Sequence, residues 1–218
     1  MRVVIAGGHG KIALILERML VERGDSVVGL IRNPSQTADL EAVGAESVVI
    51  DLEHASVDDV TPHLHGADAV VFAAGAGPGS GAARKETVDR DAAILLADGA
   101  EAANVGRYVM ISSTGADANA TDVRNEVFTA YLRAKGAADD NVRARAGLDT
   151  TIVRPGHLTD DPGTNRVQIA NQTLRGSIPR ADVAAVLIAV LDTPSTSGQT
   201  LEVISGDTPI TAAVASVR

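Results

Sequence analysis

The sequence predicts an α/β fold with a doubly wound parallel sheet, formed as one domain over residues 1–218. Short runs rich in β-branched residues alternate along the chain with longer stretches rich in Ala, Leu, Glu and Arg. The runs span about four to eight residues, as buried strands of βαβ units do. Hydrophobic residues make up 45% of the chain and aromatic residues 2%, so aliphatic helices should cover both faces of the sheet.

Seven apolar runs are predicted strands, because each contains at least two valines or isoleucines. In chain order they are 2–7, 26–31, 46–51, 68–75, 106–113, 149–155 and 199–205. The stretches between them are long enough for crossover helices, which parallel neighbours require.

Helices are predicted between these strands and at the end of the chain. They cover 10–23, 35–43, 56–65, 84–104, 122–146, 180–192 and 208–217. Gly24 and Gly44 follow the first two, and a glycine is a common helix terminator. Residues 75–83 are predicted to be a glycine-rich loop, either a flexible linker or a loop close to a ligand, and 156–178 a polar loop.

Charge and cysteine content exclude several classes of function. The formal net charge is −9, the pI is about 4.9 and the 19 basic residues are dispersed, so a nucleic-acid-binding surface is not expected. With no cysteine, disulfides, zinc-thiolate sites and thiol nucleophiles are excluded. No leader-like segment and no apolar run of about 20 residues precedes or interrupts the predicted fold. We therefore expect a cytoplasmic protein with no membrane partner.

The segment GGHGKIA, residues 7–13, joins the first predicted strand to the first predicted helix. It contains overlapping glycine motifs that begin at Gly7 and Gly8, share Gly10 and end at the small Ala13. Such glycines let the backbone approach a pyrophosphate, which binds the helix N-terminus. The position at the start of a βαβ series favours a dinucleotide site over a purely structural turn.

The end of the second strand indicates which dinucleotide is bound. Ile31 stands where an NAD site would place an acidic residue, and Arg32 follows it. An arginine there suits the 2′-phosphate of NADP, although it could also be an ordinary solvated charge. NADP is therefore the expected cofactor, with NAD possible. Lys11, in the glycine loop, either adds positive potential or is a surface lysine.

Other strand ends should also face the cofactor. Asp51 and Leu52 follow the third strand and could lie beside the adenine, or Asp51 could cap the next helix. Ala73, Ala74 and Gly75 end the fourth strand, and their small side chains leave room for the cofactor.

Tyr131 and Lys135 are the candidate catalytic pair. They are spaced i, i+4 on a predicted helix and should share one face. A phenol ordinarily loses its proton near pH 10, and a nearby ammonium favours the phenolate. The phenol could then exchange a proton with a substrate while hydride moves to or from a carbonyl carbon.

Three hydroxyls lie at the end of the fifth strand, in MISSTG, residues 110–115. Ser112, Ser113 or Thr114 could hydrogen-bond a substrate carbonyl, or all three could cap turns.

Taken together, GGHGKIA, IRNP, VFAAGAG, ISST, YLRAK, TIVRPGHL and SIPRADVA resemble an atypical or extended short-chain dehydrogenase/reductase of the NAD(P)-binding, epimerase/dehydratase-like group. The resemblance covers nearly the whole chain and implies a Rossmann fold. It implies Tyr131 as acid/base, Lys135 as its electrostatic partner and ribose ligand, and Ser113 or Thr114 as the carbonyl orienter.

The residue patterns and the resemblance together predict a set of residues along the cofactor. They are Gly7, Gly8, His9, Gly10, Lys11, Ile12, Arg32, Asp51, Leu52, Ala73, Ala74, Gly75, Ile111, Ser112, Lys135, Pro155, Gly156, His157 and Leu158. Of these, Pro155 and Gly156 would shape the nicotinamide pocket, and His157 could instead face the substrate or solvent.

The chain is shorter than extended sugar-nucleotide epimerases, which leaves a minimal C-terminal substrate segment. The segments 115–127 and 156–178 are therefore the expected substrate side, and a small-molecule substrate is expected. The insert 115–130 could form a lid. The leading interpretation is an NADP-dependent oxidoreductase acting on a small carbonyl or alcohol. The alternatives are an epimerase or dehydratase that recycles a tightly held NAD, and a cofactor-binding redox sensor.

Two other classes have little support. No G-x-S-x-G elbow surrounds the serines, which argues against a hydrolase. The five histidines show no ligand pattern, so no metal site is expected. The state of assembly is expected to be a monomer or a homodimer.

Overall fold

The structure is a computed structural model that describes residues 1–77, 79–121, 125–172 and 175–217. Its strands are β1 (Arg2–Ala6), β2 (Ser26–Ile31), β3 (Glu46–Val49), β4 (Ala69–Phe72), β5 (Arg107–Ile111), β6 (Asp149–Pro155), β7 (His157–Thr159), β8 (Arg166–Ala170), β9 (Ser177–Pro179), β10 (Thr200–Ser205) and β11 (Thr208–Pro209). Its helices are α1 (Lys11–Arg23), α2 (Thr37–Ala42), α3 (Val57–Leu64), α4 (Gly81–Arg84), α5 (Ala92–Ala102), α6 (Glu126–Arg143), α7 (Arg180–Leu191) and α8 (Ile210–Ala215). A π-helical segment, Lys85–Asp91, joins α4 to α5.

The strands of the described residues form a main sheet in the order β11-β8-β10-β6-β5-β4-β1-β2-β3. All pairings from β10 to β3 are parallel, and β8 and β11 add an antiparallel edge. The chain runs outward from β1 to β3 and then crosses back to β4. This reversal places a crevice between the carboxyl ends of β1 and β4, where ligands bind in doubly wound sheets. The predicted α/β fold is confirmed.

The sheet is buried on both faces, as its aliphatic sequence predicts. Along β1, Val3 and Ile5 join the apolar cluster beneath α1 and α7, whereas Val4 and Ala6 join the cluster beneath α3 and α5. This alternation follows from the two-residue period of a strand. No helix of the described residues is long and apolar enough to cross a membrane.

The prediction of a loop over 156–178 was wrong. The described part of this segment contains β7, β8 and β9, and β7 pairs with β9 in a separate small parallel sheet. β8 lies near the edge of the main sheet with only Val167 buried among its residues. Val167 and Ile169 alternate with polar residues, which is the pattern of a half-buried strand, but the run is short and lies within a polar segment. Residues 173–174 lie outside the described residues.

Several predicted boundaries also differ. The helix predicted at 122–146 begins at Glu126 after the cap Asn125 and ends at Arg143; residues 122–124 lie outside the described residues. The last helix starts later than predicted, because 208–209 form β11. The glycine loop predicted over 75–83 is shorter, because α4 begins at Gly81; its residue 78 is outside the described residues.

The predicted strands 68–75 and 106–113 end early, at Phe72 and Ile111. Their last residues leave the hydrogen-bonded ladder at the carboxyl edge of the sheet. This is the edge at which the candidate site lies.

Candidate active site

The glycine loop passes tightly between the ends of β2 and β4. Gly7 has a φ of +80°, and a Cβ there would lie 2.6 Å from the Cα of Ala74. A Cβ on Gly8 would lie 2.8 Å from the Cα of Gly29. The amides of Gly7 and Gly8 both donate to the carbonyl of Leu30 at 3.1 Å. Because the neighbours are backbone atoms, only glycine fits at these two positions.

The loop places the N-terminus of α1 at the crevice, with no side chain capping it. Gly10 caps α1 without a side-chain hydrogen bond, and the first turn contains no acidic residue. The first hydrogen bond of α1 is the one that the amide of Leu14 donates to the carbonyl of Gly10 at 2.9 Å. The preceding amides of a first turn have no intrahelical partner and suit an anion. These residues therefore fit the pyrophosphate of a dinucleotide.

Glu17 is a buried acid beneath the loop. Its side chain is fully buried, and its Oε1 would lie 2.8 Å from a Cβ at Gly8. Neither carboxyl oxygen has a hydrogen-bond partner among the described residues. Burial raises the pKa of Glu17 to about 8, because a charge is poorly solvated in this environment. The carboxyl is thus neutral in the folded protein near neutral pH.

Replacing Glu17 by Gln should remove a loss of stability at alkaline pH. Below its unfolded pKa of about 4.5 the acid is protonated in both states; as pH rises toward about 8, only the unfolded chain ionises. The wild type therefore loses stability across this window, whereas Gln cannot ionise. In urea unfolding, we expect Glu17→Gln to match the wild type near pH 4.5 and to exceed it by roughly 5 kcal/mol above pH 8.

The matched control is Glu22→Gln, because Glu22 is exposed on the same helix. Its stability should follow the wild-type pH dependence. Parallel curves for Glu17→Gln and the wild type would contradict a neutral buried Glu17.

A cavity of about 340 Å³ opens beside the loop, at the ends of β2 and β3. Its lining contains most of the residues that were predicted for the adenosine half of the cofactor. The lining consists of Gly7, His9, Gly10, Leu30, Ile31, Arg32, Gln36, Ile50, Asp51, Leu52, Glu53, Ala73, Ala74, Gly75, Ala76, Arg84, Val88 and Ala92.

Two arginines and two carboxylates, Glu53 and Asp51, line this cavity. Arg84 binds Glu53 through Nε at 3.2 Å and also through Nη2, and Thr87 donates to Glu53 at 2.7 Å. Arg32 makes one bond to Glu53, from Nη1 at 2.9 Å. The hydrogen bonds from Arg84, with those of the other partners, lower the pKa of Glu53 to about 2. The two guanidinium groups and the two carboxylates leave this lining without a net charge.

His9 and Lys11 are both engaged at the surface of the loop. The ring of His9 contacts Asp39 at 2.7 Å and Gln36 at 3.1 Å. The ammonium of Lys11 bonds Asp160 at 2.6 Å, and Arg180 bonds the other oxygen of Asp160 at 2.6 Å. Lys11 thus ties the glycine loop to the segment that follows β7.

A second cavity, of about 610 Å³, contains both members of the Tyr–Lys pair. Like the first, it is lined by Ala73, Ala74 and Gly75 at the end of β4, so the two cavities adjoin there. The rest of its lining is Ile12, Gly77, Gly79, Lys85, Asp89, Ile111, Ser112, Asn125, Val127, Phe128, Tyr131, Lys135 and Leu158. A dinucleotide could therefore extend from the glycine loop to Tyr131.

Lys135 is fixed by the protein itself. It is 3% exposed and its ammonium donates to the carbonyls of Ile111 at 3.1 Å and Ala74 at 3.3 Å. It also pairs with the buried carboxylate of Asp89 at 3.3 Å. The ammonium therefore lies where β4 and β5 end, at the junction of the two cavities.

The three hydroxyls after β5 have different surroundings. Among the described residues, the lining of the second cavity includes Ser112 but not Ser113 or Thr114. The Ser112 hydroxyl donates to Asp139 at 2.9 Å, and Arg154 holds the same carboxylate at 2.8 Å. Ser113 donates to the carbonyl of Thr114 at 3.2 Å. In this conformation, no hydroxyl of the three donates into the described part of the cavity.

The segment after β6 contributes Leu158 to the second cavity. In the described lining, Pro155, Gly156 and His157 are absent. A Cβ on Gly156 would clash with the backbone carbonyl of Gly176 and would lie 2.9 Å from Cγ2 of Ile204, so this glycine permits close packing onto the residue before β9 and onto β10.

Sequence reasoning missed four charged residues of the two cavities, namely Glu53, Arg84, Lys85 and Asp89. Their only sequence signal is proximity to the predicted glycine loop or to Asp51. In the described residues, no group of three or more His, Cys, Asp or Glu could hold a metal ion.

Comparisons with known proteins agree with this geometry. The NAD(P)H-binding family matches residues 7–194. The uncharacterized sugar epimerase YhfK of Bacillus subtilis is 36% identical over 98% of this chain and 99% of its own length. A Bacillus halodurans structure, provisionally named an NAD-dependent epimerase/dehydratase, is 38% identical, with a TM-score of 0.89 over 98% of both chains. The oxidoreductase YlbE of Lactococcus lactis, 24% identical, has the same fold, with a TM-score of 0.88 over 100% of this chain and 96% of its own.

The family match covers both cavities and most of the sheet, and it confirms the resemblance to epimerase/dehydratase-like dehydrogenases that the motifs predicted. The chain belongs to the NAD(P)H-binding family of Rossmann-fold proteins.

Proposed function

We propose that the protein is an NADP(H)-dependent oxidoreductase that acts on a small carbonyl or alcohol. The observation that carries the proposal is the shared wall of the two cavities. Ala73, Ala74 and Gly75 line both the cavity of the glycine loop and the cavity of Tyr131 and Lys135. A dinucleotide on the glycine loop would thus bring its reactive end to the tyrosine.

Each residue of the pair has a distinct role in this proposal. A bound nicotinamide would supply or accept the hydride. Tyr131 gives a proton to the carbonyl oxygen during reduction and takes it back during oxidation. Lys135, held by the carbonyls of Ala74 and Ile111, orients the cofactor ribose and adds positive potential near the phenol.

The substrate side is proposed to consist of the segments 115–127 and 156–178. From their described parts, Asn125, Val127 and Leu158 line the second cavity. The cavity measures about 610 Å³, and it must also admit the nicotinamide end of the cofactor. The room that remains favours a small substrate over a nucleotide sugar.

Hydride transfer can be tested with NADPH deuterated at the nicotinamide C4. We expect the wild type to consume it with members of a panel of small aldehydes, ketones and oxo acids, and deuterium to appear on the carbinol carbon of the product. Oxidation of NADPH with deuterium found only in solvent would contradict the proposal.

The preference for NADP is proposed to depend on Arg32. Arg84 makes two bonds to Glu53, while Arg32 makes one and its side chain is 54% exposed. Arg84 therefore largely neutralises Glu53, and Arg32 can turn toward a 2′-phosphate at little cost. A phosphate pairs well with a guanidinium group because both present several hydrogen-bonding atoms.

Replacing Arg32 by Ala should weaken NADPH binding about 10- to 100-fold and leave NADH binding nearly unchanged, because a charge-assisted contact contributes about 1.5–3 kcal/mol. The measurement is a titration of cofactor-stripped protein followed by nicotinamide fluorescence. Glu53→Gln is the complementary variant, and it should bind NADPH at least as tightly as the wild type because the opposing charge is gone. A wild type that prefers NADH would overturn this assignment.

The names of two relatives favour a second candidate, an epimerase or dehydratase that retains NAD. Such an enzyme regenerates its cofactor in every cycle. Protein purified without added cofactor and then denatured should release NAD in this case, and little nicotinamide dinucleotide under the leading proposal.

A further inference from the structure

Lys85 is a buried ammonium that the proposed reaction does not use. It opens the π-helical segment Lys85–Asp91 and is 8% exposed. Its Nζ donates to the carbonyl of Gly77 at 2.8 Å and lies 5.4 Å from the centroid of the Tyr131 ring. Both side chains line the second cavity. A charged group thus stands beside the proposed acid/base, inside the substrate pocket.

Lys85 forms no ion pair with any carboxylate of the described residues. The nearby Asp89 is engaged by Lys135 at 3.3 Å and by the amide of Ala76 at 3.2 Å. An ammonium has three protons to donate, and Gly77 takes one. A buried charge without a counter-ion is costly, which a charged ligand would relieve.

The charge balance of the pocket favours a monoanion. Lys85 and Lys135 contribute two positive charges and Asp89 one negative charge, all three lining the cavity. One carboxylate would neutralise the net charge of +1 that these three side chains leave. A dianionic phosphate would leave the pocket with a net negative charge. A single ammonium also lacks the forked geometry with which arginine binds phosphate.

The local backbone turns these charged groups inward. Within the π-helical segment, Lys85, Val88 and Asp89 are buried. A π-helical turn inserts extra residues into a helix and so changes which side chains share a face, and it is frequent at functional sites. Lys85 and Asp89, four positions apart in this segment, both line the second cavity, because residues at i and i+4 of a helix share one face.

The rest of the pocket is largely apolar. Ile12, Ile111, Val127, Phe128 and Leu158 belong to its lining, and Phe128 stacks on Tyr131 with ring centroids 6.0 Å apart. A ligand that satisfies both parts of the lining has a charged end and an apolar body.

We propose that Lys85 binds the carboxylate of the substrate, so that the substrate class is a small oxo or hydroxy acid with an apolar body. The reacting carbonyl in this inference rests on the proposed function. The carboxylate site itself can be tested without turnover.

The test uses two non-reacting probes that differ in charge, 4-phenylbutanoate and 4-phenylbutanamide. Binding is measured by calorimetry on protein saturated with NADPH, because its reduced nicotinamide ring adds no charge to the pocket. The wild type should bind the carboxylate at least about tenfold more tightly than the amide, because a charge-assisted bond is stronger than a neutral one. Lys85→Gln should abolish this preference, and Lys85→Arg should keep much of it.

Two controls separate a site from a general charge effect. Arg90→Gln removes a positive charge from the same π-helical segment, where Arg90 pairs with Asp91, and it should keep the preference. Tyr131→Phe should keep it too, since the phenol is not the anion ligand.

Equal binding of the two probes to the wild type, no binding of either, or a preference that survives in Lys85→Gln would each overturn the inference. Tighter binding of 4-phenylbutylphosphonate than of the carboxylate would overturn the assignment to a carboxylic acid. The wild type could also bind the carboxylate more tightly than the amide and yet transfer no deuteride from NADPH to any carbonyl. That result would contradict the proposed function but would support the anion site at Lys85.

Discussion

Tyr131→Phe should lower the rate of carbonyl reduction by about 100-fold or more and leave NADPH binding nearly unchanged. The variant removes one oxygen from a ring that lines the second cavity. General acid catalysis by a positioned side chain contributes about 10²- to 10⁴-fold. The phenylalanine keeps the stacking contact with Phe128, whose ring centroid is 6.0 Å away, so the pocket wall should stay in place.

The measurements are the maximal rate with NADPH and the best carbonyl of the panel, and a fluorescence titration with NADPH. Tyr108→Phe is the matched control, because Tyr108 is the other tyrosine of the chain. Its hydroxyl donates to the carbonyl of Ala93 at 2.8 Å within the core. Loss of that bond should cost about 1 kcal/mol of stability and leave the maximal rate intact.

An active Tyr131→Phe variant would assign proton transfer to another group. A wild type that binds NADPH tightly but reduces no carbonyl would instead favour the redox sensor.

The parallel part of the sheet was predictable because its strands are buried on both faces. β1 and β4 are runs of valine, isoleucine and other apolar residues, and such runs give a strong signal without regard to tertiary contacts. The glycine loop was predictable for a related reason. At Gly7 and Gly8 the backbone of a neighbouring strand end lies too close for any side chain. The sequence must therefore have glycine at these positions, and the motif is visible without knowledge of the fold.

The charged part of the site was not predictable in the same way. Arg84 and Lys85 are adjacent in sequence yet line different cavities. Neighbouring residues on a helix point to different sides. Which cavity each side meets depends on how the helix packs on the rest of the fold, and hydrophobic periodicity does not report this packing. Glu53 is held by Arg32 and Arg84, which come from distant parts of the chain.

The hydroxyls after β5 illustrate a second limit. Ser112, Ser113 and Thr114 are chemically alike in sequence, but only Ser112 donates to the buried Asp139. That contact depends on how α6 packs against the end of β5. Short-range sequence patterns contain no information on this packing.

Gly7→Ala should weaken NADPH binding by about 100-fold or more and lower stability. Gly7 has a φ of +80°, and the new Cβ would lie 2.6 Å from Cα and 2.8 Å from N of Ala74. These are backbone atoms, so the end of β4 must move. Ala74 also accepts a hydrogen bond from Lys135 at 3.3 Å and lines both cavities. The displacement should therefore reach the glycine loop, the proposed ribose ligand Lys135 and the wall shared by the two cavities together.

Gly66→Ala is the control that separates the two effects of Gly7→Ala, namely the clash with Ala74 and the strain of a left-handed backbone conformation. Gly66 has a φ of +73°, and a Cβ there would meet no heavy atom of the described residues within 4 Å. It should lose about 1–2 kcal/mol of stability in urea unfolding and bind NADPH as the wild type does. The excess loss in Gly7→Ala then measures the close approach to Ala74. If the two variants bind NADPH equally well, the loop at residue 7 does not form the cofactor site, and the dinucleotide must bind without the backbone contact on which the proposed reaction depends.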